Sequence, residues 1–564
     1  MKEVLIINLT RMGDLIQTTP TITGLKERFP HVRITLLVNT AFKEICNYLP
    51  LVDRYFHLDK RAVLKLLEGN RLIEAYLYIK DTLARINDRE YDLVINFTHS
   101  GSSAIITSLV NAREVRGLSI DREGYTLKRH PWIRYLFNVI PSRNINPFHL
   151  CDMHVKSAGV LPEKKGLHLI VRDDMKAWAD GFLRDKGLGR DEYLVAFQLG
   201  ASAEDKRWPV ENFARLADLL TSEMKAVILL TGTQDEKHLS DAFVSSTSAR
   251  TINMVGRTDL TELSALLERA DLLVSNDTGP LHIATAVGTR VIDISLASVH
   301  FRETGPYGEG HFVVTAHIPC YPCSFHSDCE YLTCKKTITP EIVYKICRAI
   351  LLDEQQPLKE GLGRDVQVYR SFFDRDGLVS YIPLARRPLG LDELFTYIYR
   401  YTWQVVLDRA EPPPTEQILG DIHEKLSLYD TAPGLDEELK EYIKAFEKLK
   451  VLIDTLLSIM DVMKKEASKD KADFQLIERL WDNIVPIDRE VERLACIYPY
   501  MRPIVIVLKY EKEAFEGQEL REVISEAEEA YRYASWHADT IREILEVLKE
   551  RFITQSLTHA DAMY

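Results

Sequence analysis

The sequence predicts an α/β protein: two Rossmann-like domains followed by an all-α helical bundle. Three observations predict it. Short β-rich runs alternate with amphipathic helical stretches through roughly the first 350 residues, the pattern of parallel sheets with crossover helices. That alternation comes in two separate series. Beyond residue 410 only helical periodicity remains. The expected organisation is a first domain over 1–180, a second over 181–355, a connector over 356–410 and a bundle over 411–564.

The first series opens with the buried strand Val4 to Leu9, the loop TRMGD and a helix from about Leu15 to Phe29. ITLLVN (34–39) and DLVINF (92–97) are further strands, and a charged, aromatic stretch at 113–148 interrupts the pattern. The second series runs through YLVAFQLG (193–200), AVILLTG (226–232), DLLVSND (271–277) and RVIDISL (290–296), with helices between them. Ligands of such sheets bind beyond the carboxyl ends of the strands, so the loops after Leu9, Leu199 and Asn276 carry the functional expectation. In the last part, Leu439, Tyr442, Phe446, Leu449, Ile453, Leu456, Met460 and Met463 recur three and four apart. Leu520, Ile524, Ala527, Tyr531, Ala534, Ala538, Ile541, Leu545, Leu548 and Phe552 do the same. A shorter stripe from Ile477 to Leu494 is interrupted by Pro486. One apolar seam per helix describes an antiparallel bundle core.

Charge separates the same regions. Residues 1–357 carry 43 Lys+Arg against 44 Asp+Glu, and residues 358–564 carry 28 against 40, so the net charge of -13 belongs to the tail. An acidic total argues against a nucleic-acid partner, which needs basic excess to neutralise phosphates. The apolar start VLIINL is short and followed by Arg11 and Asp14, which does not read as a signal peptide. No run approaches the roughly 18–20 apolar residues of a membrane span. Eight dilute cysteines fit a reducing cytoplasm.

Three motifs carry chemistry. In NDTGPLHIATAVGT (276–289) a strand ends and a helix begins near Pro280, so Thr278 and Gly279 sit where unpaired backbone N–H groups and the helix dipole favour phosphate. Asp277 and His282 project near the same point. In QLGASAEDKRWP (198–209) the small residues Gly200, Ala201 and Ser202 permit close backbone approach, and Lys206 and Arg207 offer fixed positive charge for a departing diphosphate. In TRMGDLIQTTP (10–20), Gly13 permits a tight turn and Asp14 stands at the mouth of the first sheet, where a carboxylate can act as general base. Alone, Asp14 reads as an N-cap and Lys206-Arg207 as a solvated pair; the three together point to transfer from a diphosphate-linked donor. A Gly-rich dinucleotide turn is missing after the first strand, which argues against a dehydrogenase. A fourth group, Cys320, Cys323, Cys329 and Cys334, has spacing suited to a structural Zn or Fe knuckle, with free thiols and disulfides as the alternatives.

Together the three motifs resemble glycosyltransferase family 9, the heptosyltransferases of bacterial lipopolysaccharide synthesis. The family's opening R-x-G-D-[IL]-x-x-T-P matches Arg11, Gly13, Asp14, Leu15, Thr19 and Pro20; its G-A-x(n)-K-R-W-P matches Gly200, Ala201 and Lys206 to Pro209; its D-[ST]-G-x-x-H-[IV]-A-A-A matches Asp277, Thr278, Gly279, His282, Ile283 and Ala284, with Thr285 replacing an alanine. The resemblance covers about residues 1–352. It implies a GT-B fold and an inverting transfer of heptose from ADP-heptose that needs no cofactor for catalysis. It implies Asp14 as base, Lys206 as stabiliser of the leaving ADP, and Gly200, Ala201, Ser202, Arg207, Asp277, Thr278, Gly279 and His282 as donor-binding residues. Arg11, Arg113, Arg116, Arg122, Lys128 and Arg129, with Arg134 in the same stretch, are the candidates for an anionic acceptor. That acceptor is lipopolysaccharide inner core by default and a surface protein such as flagellin in the alternative. A non-catalytic sugar-nucleotide-binding scaffold is the rival class. A subgroup of the family that heptosylates surface proteins binds iron at such a cysteine cluster. Further expectations are a cytoplasmic location, peripheral at the inner face of the inner membrane, and oligomerisation through the bundle.

Overall fold

The computed structural model describes residues 1–324, 329–354, 362–430, 432–515 and 519–561, the side chains of 551–561 excepted. The chain forms two compact units. One comprises Met1–Leu127 and Phe148–Ala385; the other comprises Lys128–Pro147 and Arg386–Tyr564.

The first unit contains two sheets. In the first sheet the strands are β1 (Glu3–Asn8), β2 (Arg33–Asn39), β3 (Arg54–Leu58), β4 (Tyr91–Asn96), β5 (Ala112–Ile120) and β6 (Thr126–Arg129), in the order β3-β2-β1-β4-β5-β6. β1 to β5 pair in parallel. β1 is buried at every residue, as expected of a central strand covered by helices on both faces. In the second sheet the strands are β7 (Tyr193–Gln198), β8 (Ala226–Thr231), β9 (Thr251–Asn253), β10 (Leu272–Asn276), β11 (Val291–Ser295), β12 (Phe312–Ala316), β13 (Val366–Phe373) and β14 (Val379–Pro383). Their order is β14-β13-β12-β11-β10-β7-β8-β9, parallel from β7 to β12 and antiparallel from β12 through β14. This is the GT-B arrangement of two Rossmann-like sheets. One continuous apolar core runs from Val4, Ile6 and Leu36 of the first sheet to Leu194, Ala196 and Leu273 of the second.

Both sheets place their crevice at a point where strand order reverses. In the first, chain order turns at β1 and β4; in the second, at β7 and β10. The loops after β1, β7 and β10 are the three singled out by sequence.

The second unit is helical. Its long elements are Leu435–Ala467, Phe474–Ile497 and Leu520–Asp561. Arg521 donates to the Ala467 carbonyl (2.6 Å), Ser535 meets Asp454 (2.5 Å) and Lys450 faces Asp539 (3.9 Å), so one residue number rises as its partner's falls and the two longest helices run antiparallel. All eight residues of the stripe from Leu439 to Met463 are buried. In the last helix Ile524 through Leu548 are buried, Leu520 is exposed at the helix start, and Phe552 lies outside the described side chains. Pro486 sits inside its helix on the exposed face. The ladder bond it removes is therefore lost on the solvent side.

Two stretches differ from expectation. The connector expected over 356–410 begins in part outside the described residues, then holds the β13–β14 hairpin and the helix Leu391–Leu407 of the helical unit. An antiparallel pair needs no crossover helix, so it carries no βα alternation. Residues 128–147, read as part of the first domain, belong to the helical unit. There Trp132 Nε1 donates to Asp408 (2.7 Å) and Arg134 grips Glu511 with two bonds (2.5 and 2.9 Å).

Candidate active site

Asp14 lies on a short helix, Met12–Ile16, that begins earlier than the sequence suggests. Its carboxylate reaches back to accept the Arg11 N–H (3.2 Å), while its carbonyl accepts bonds from Asn8 Nδ2 and Thr18 Oγ1 (both 3.0 Å). The backbone at Asp14 is thus fixed from two sides, and the side chain remains partly exposed at the sheet's carboxyl end. Gly13 allows a close approach: a Cβ there would lie 3.0 Å from His282 Cδ2 and 3.8 Å from Gly279 Cα. The loop after β1 and the helix after β10, 265 residues apart, therefore touch. Gln17 Nε2 lies 3.1 Å from His282 Nε2 across the same contact.

The helix Gly279–Ala286 starts at N-cap Thr278, whose side chain makes no cap bond. Its Oγ1 donates instead to the Asn276 carbonyl (3.2 Å). Thr278 thus does not cap the first N–H groups of this helix, a geometry that favours an anion. Asn276 joins this end to the loop after β7. Its Nδ2 donates to the carbonyls of Leu199 (3.1 Å) and Gly200 (3.0 Å), and its Oδ1 accepts the Trp208 N–H (2.9 Å). Trp208 is buried, donates through Nε1 to Ile338 (2.9 Å) and packs edge-on against Phe213. It anchors the loop that presents its neighbours. Lys206 and Arg207 are half-buried, and the Lys206 ammonium forms no ion pair among the described residues. At Gly200 a Cβ would fall 1.5 Å from Glu236 Oε1, so any larger residue there would displace that carboxylate. Ala201 is half-buried and Ser202 exposed.

Several residues at this place were not legible in the sequence. His99, His149 and His154 are such residues, and with His282 of the 276–289 motif they gather near the Asp14 loop. Burial pushes His282 down to about 4 and His149 to about 3, holds His154 well below its usual range and lowers His99; the Asp14 charge opposes the shift at His282 and His99. His149 Nε2 donates to the Gly305 carbonyl (3.0 Å) and its Nδ1 accepts the Cys151 N–H (3.0 Å), which fixes a neutral tautomer. Asp293, opposite Ser275 in the β10–β11 ladder, is fully buried, and neither carboxylate oxygen has a hydrogen-bond partner among the described residues. Burial, with the nearby Asp277 charge, pushes its carboxyl well above the usual range. Scattered histidines and one aspartate in an apolar strand give no periodic signal; only the fold brings them together.

The basic candidates do not form one patch. Arg113 pairs with Glu90 (3.0 Å) and with Asp92 (3.2 Å), and Asp92 also receives the Lys2 N–H (2.5 Å). These are the amino ends of parallel strands, the opposite edge from Asp14. Arg116 bonds Glu114 (2.6 Å) and the Ser157 carbonyl (2.9 Å). Arg11 and Arg122 are exposed. Lys128, Arg129 and Arg134 belong to the helical unit, where Lys128 donates to Asn138 (3.0 Å) and stands 4.2 Å over the Tyr510 ring. The four cysteines also stay apart in kind: Cys320 and Cys329 are exposed, Cys323 is half-buried, and Cys334 is buried in the second sheet's core. Among the described residues no three His, Cys, Asp or Glu side chains gather as a metal requires, so these thiols do not fit a closed tetrahedral site in this arrangement.

Two sheets of this topology, with the loop after β1 meeting the helix start after β10, define a GT-B fold. Comparison with known proteins gives the family: residues 82–333 match the description "Glycosyltransferase family 9 (heptosyltransferase)". The chain carries a glycosyltransferase family 9 domain, and the helical region lies beyond that match. The matched stretch holds the loops after β7 and β10 and leaves Asp14 outside. Lipopolysaccharide heptosyltransferase 3 of Escherichia coli (strain K12) is 24% identical over 295 residues, 51% of this chain and 80% of that protein. Lipopolysaccharide heptosyltransferase 1 of Pseudomonas aeruginosa is 24% identical over 357 residues, 63% of this chain and 93% of that protein. The crystal structure of a family 9 glycosyltransferase from Veillonella parvula superposes with a TM-score of 0.50 at 21% identity, covering 63% of this chain and 98% of that one. No helix among the described residues is long and apolar enough to cross a membrane.

Proposed function

We propose that this glycosyltransferase moves a heptose from ADP-heptose to the inner core of lipopolysaccharide, with inversion at the anomeric carbon. The contact of Gly13 with His282 and Gly279 carries the reading, because it sets a carboxylate beside an uncapped helix start. Asp14 takes the proton of the acceptor hydroxyl as its oxygen attacks the anomeric carbon. The bond from that carbon to the diphosphate breaks, and ADP leaves with the electron pair. The helix start at Thr278-Gly279 and the Lys206-Arg207 pair stabilise the charge that develops on the diphosphate. His282, neutral through burial, holds the interface without adding charge. The names of the similar lipopolysaccharide heptosyltransferases support heptose as the sugar and core glycolipid as the acceptor.

The acceptor face is the crevice before Asp14, with Arg11 the nearest of the basic candidates in sequence. The enzyme works at the inner face of the inner membrane, where such an acceptor is anchored. Incubating the purified chain with ADP-heptose and either delipidated core oligosaccharide or a cell protein fraction tests this. A heptose mass gain on the oligosaccharide with release of ADP is expected. Gain on a protein alone would move the acceptor to the surface-protein alternative, and no ADP release with either would remove the donor assignment.

A further inference from the structure

The helices Lys60–Glu68 and Leu72–Ile86 lie on the outside of the first sheet. On the second helix Ala75, Thr82 and Ile86 are buried, and Tyr78, Ile79 and Leu83 pack on the core. A surface helix with one face so occupied normally turns a polar face to water. This one does not. Leu72 is 57%, Ile73 76%, Tyr76 62% and Leu77 54% exposed, and Leu64 and Leu67 on the preceding helix are 55% and 46% exposed. The helix Lys60–Glu68 buries none of its residues. Apolar surface gathered this way on consecutive helices marks an interaction face, not scatter.

The charge around it identifies the occupant. Residues 60–86 hold six Lys or Arg and three Asp or Glu, a net charge of +3 in a chain whose total is -13. We propose that this helix pair docks on an anionic lipid bilayer, its six apolar side chains entering the headgroup boundary and its basic residues facing lipid phosphates. Amphipathic helices bind bilayers in this way, combining buried apolar area with attraction to anionic lipid. A second copy of the chain is the poorer partner, since a two-fold contact would set two positive faces against each other. The inference rests on the reading that the acceptor is a membrane-anchored glycolipid, which requires the enzyme at the lipid surface.

The test uses the full chain, phosphatidylcholine vesicles with and without phosphatidylglycerol, and the variant Ile73→Glu/Leu77→Glu. Both positions are exposed and neither is among the site residues, so turnover on delipidated core oligosaccharide should match wild type. Wild type should cosediment with the anionic vesicles, less with the zwitterionic ones and less at high salt. The double variant should lose roughly tenfold in vesicle partition. Wild type remaining in the supernatant, or a variant that partitions like wild type, would overturn the proposal. So would a wild-type dimer that the variant dissociates without any vesicle binding. Failure of wild type on the delipidated acceptor would instead count against the acceptor reading, because that assay contains no membrane.

Discussion

Asp293 shows how a single buried group departs from what composition suggests. A carboxyl with no hydrogen-bond partner among the described residues, wholly inside the second sheet and near Asp277, holds its proton well above the usual carboxylate range. The sign follows from the folded state binding the proton more tightly than the unfolded chain. Stability is greatest while both forms are protonated, and it falls as pH rises from the unfolded value of about 3.9 through the raised folded value. Asp293→Asn keeps the shape and removes the ionisation. Thermal melts should therefore show wild type losing ground to the variant as pH rises from about 4 towards neutral. Parallel melting curves over that range would mean that Asp293 does not titrate there. The sequence offered Asp14, Lys206 and Asp277 because each stands in a motif with local geometry; Asp293, His99 and His149 have none, and their roles arise from strand register and packing.

At the scale of elements, the site is made by loops held together across long sequence distances. Asn276 is the joint: one buried amide serves two carbonyls of the loop after β7 and one N–H of Trp208. Asn276→Ala leaves those three groups unsatisfied and should cost on the order of 2–4 kcal/mol of stability. It should also weaken ADP binding, while the chain remains folded at low temperature. Chemical denaturation with calorimetric ADP titration checks both; unchanged denaturation with unchanged affinity would show the loops to be held independently. The parallel strands and long helices were legible, since their periodicities of 2 and 3.6 survive in the sequence. The β13–β14 hairpin was not, nor was the placement of residues 128–147. Trp132 and Arg134 look like a charged aromatic loop until Asp408 and Glu511, hundreds of residues later, explain them.

For the whole molecule, buried neutral histidines make acid the vulnerable side. Burial holds His149 near about 3, His282 and His311 near about 4, and His537 of the helical unit near about 3. Each of these values lies below that of the unfolded chain, about 6.5, so as pH falls the unfolded chain takes up protons that the folded one refuses. Each such histidine removes up to about 1.4 kcal/mol per pH unit between about pH 6 and pH 4. Melting temperature should drop steeply over that window, and a flat profile from neutral pH to pH 5 would contradict the buried, neutral assignment. The split of charge seen in the sequence coincides broadly with the division of labour: the family match lies in the near-neutral part, and the acid lines the solvated faces of the helical unit.

The central claim is that Asp14 acts as the base in a transfer whose donor is held elsewhere. Turnover of Asp14→Asn with ADP-heptose and delipidated core oligosaccharide, measured beside calorimetric binding of ADP, tests it most directly. The account predicts a loss of roughly 10²–10⁴ in turnover with ADP affinity within about twofold of wild type. Near-normal turnover in the variant would contradict it.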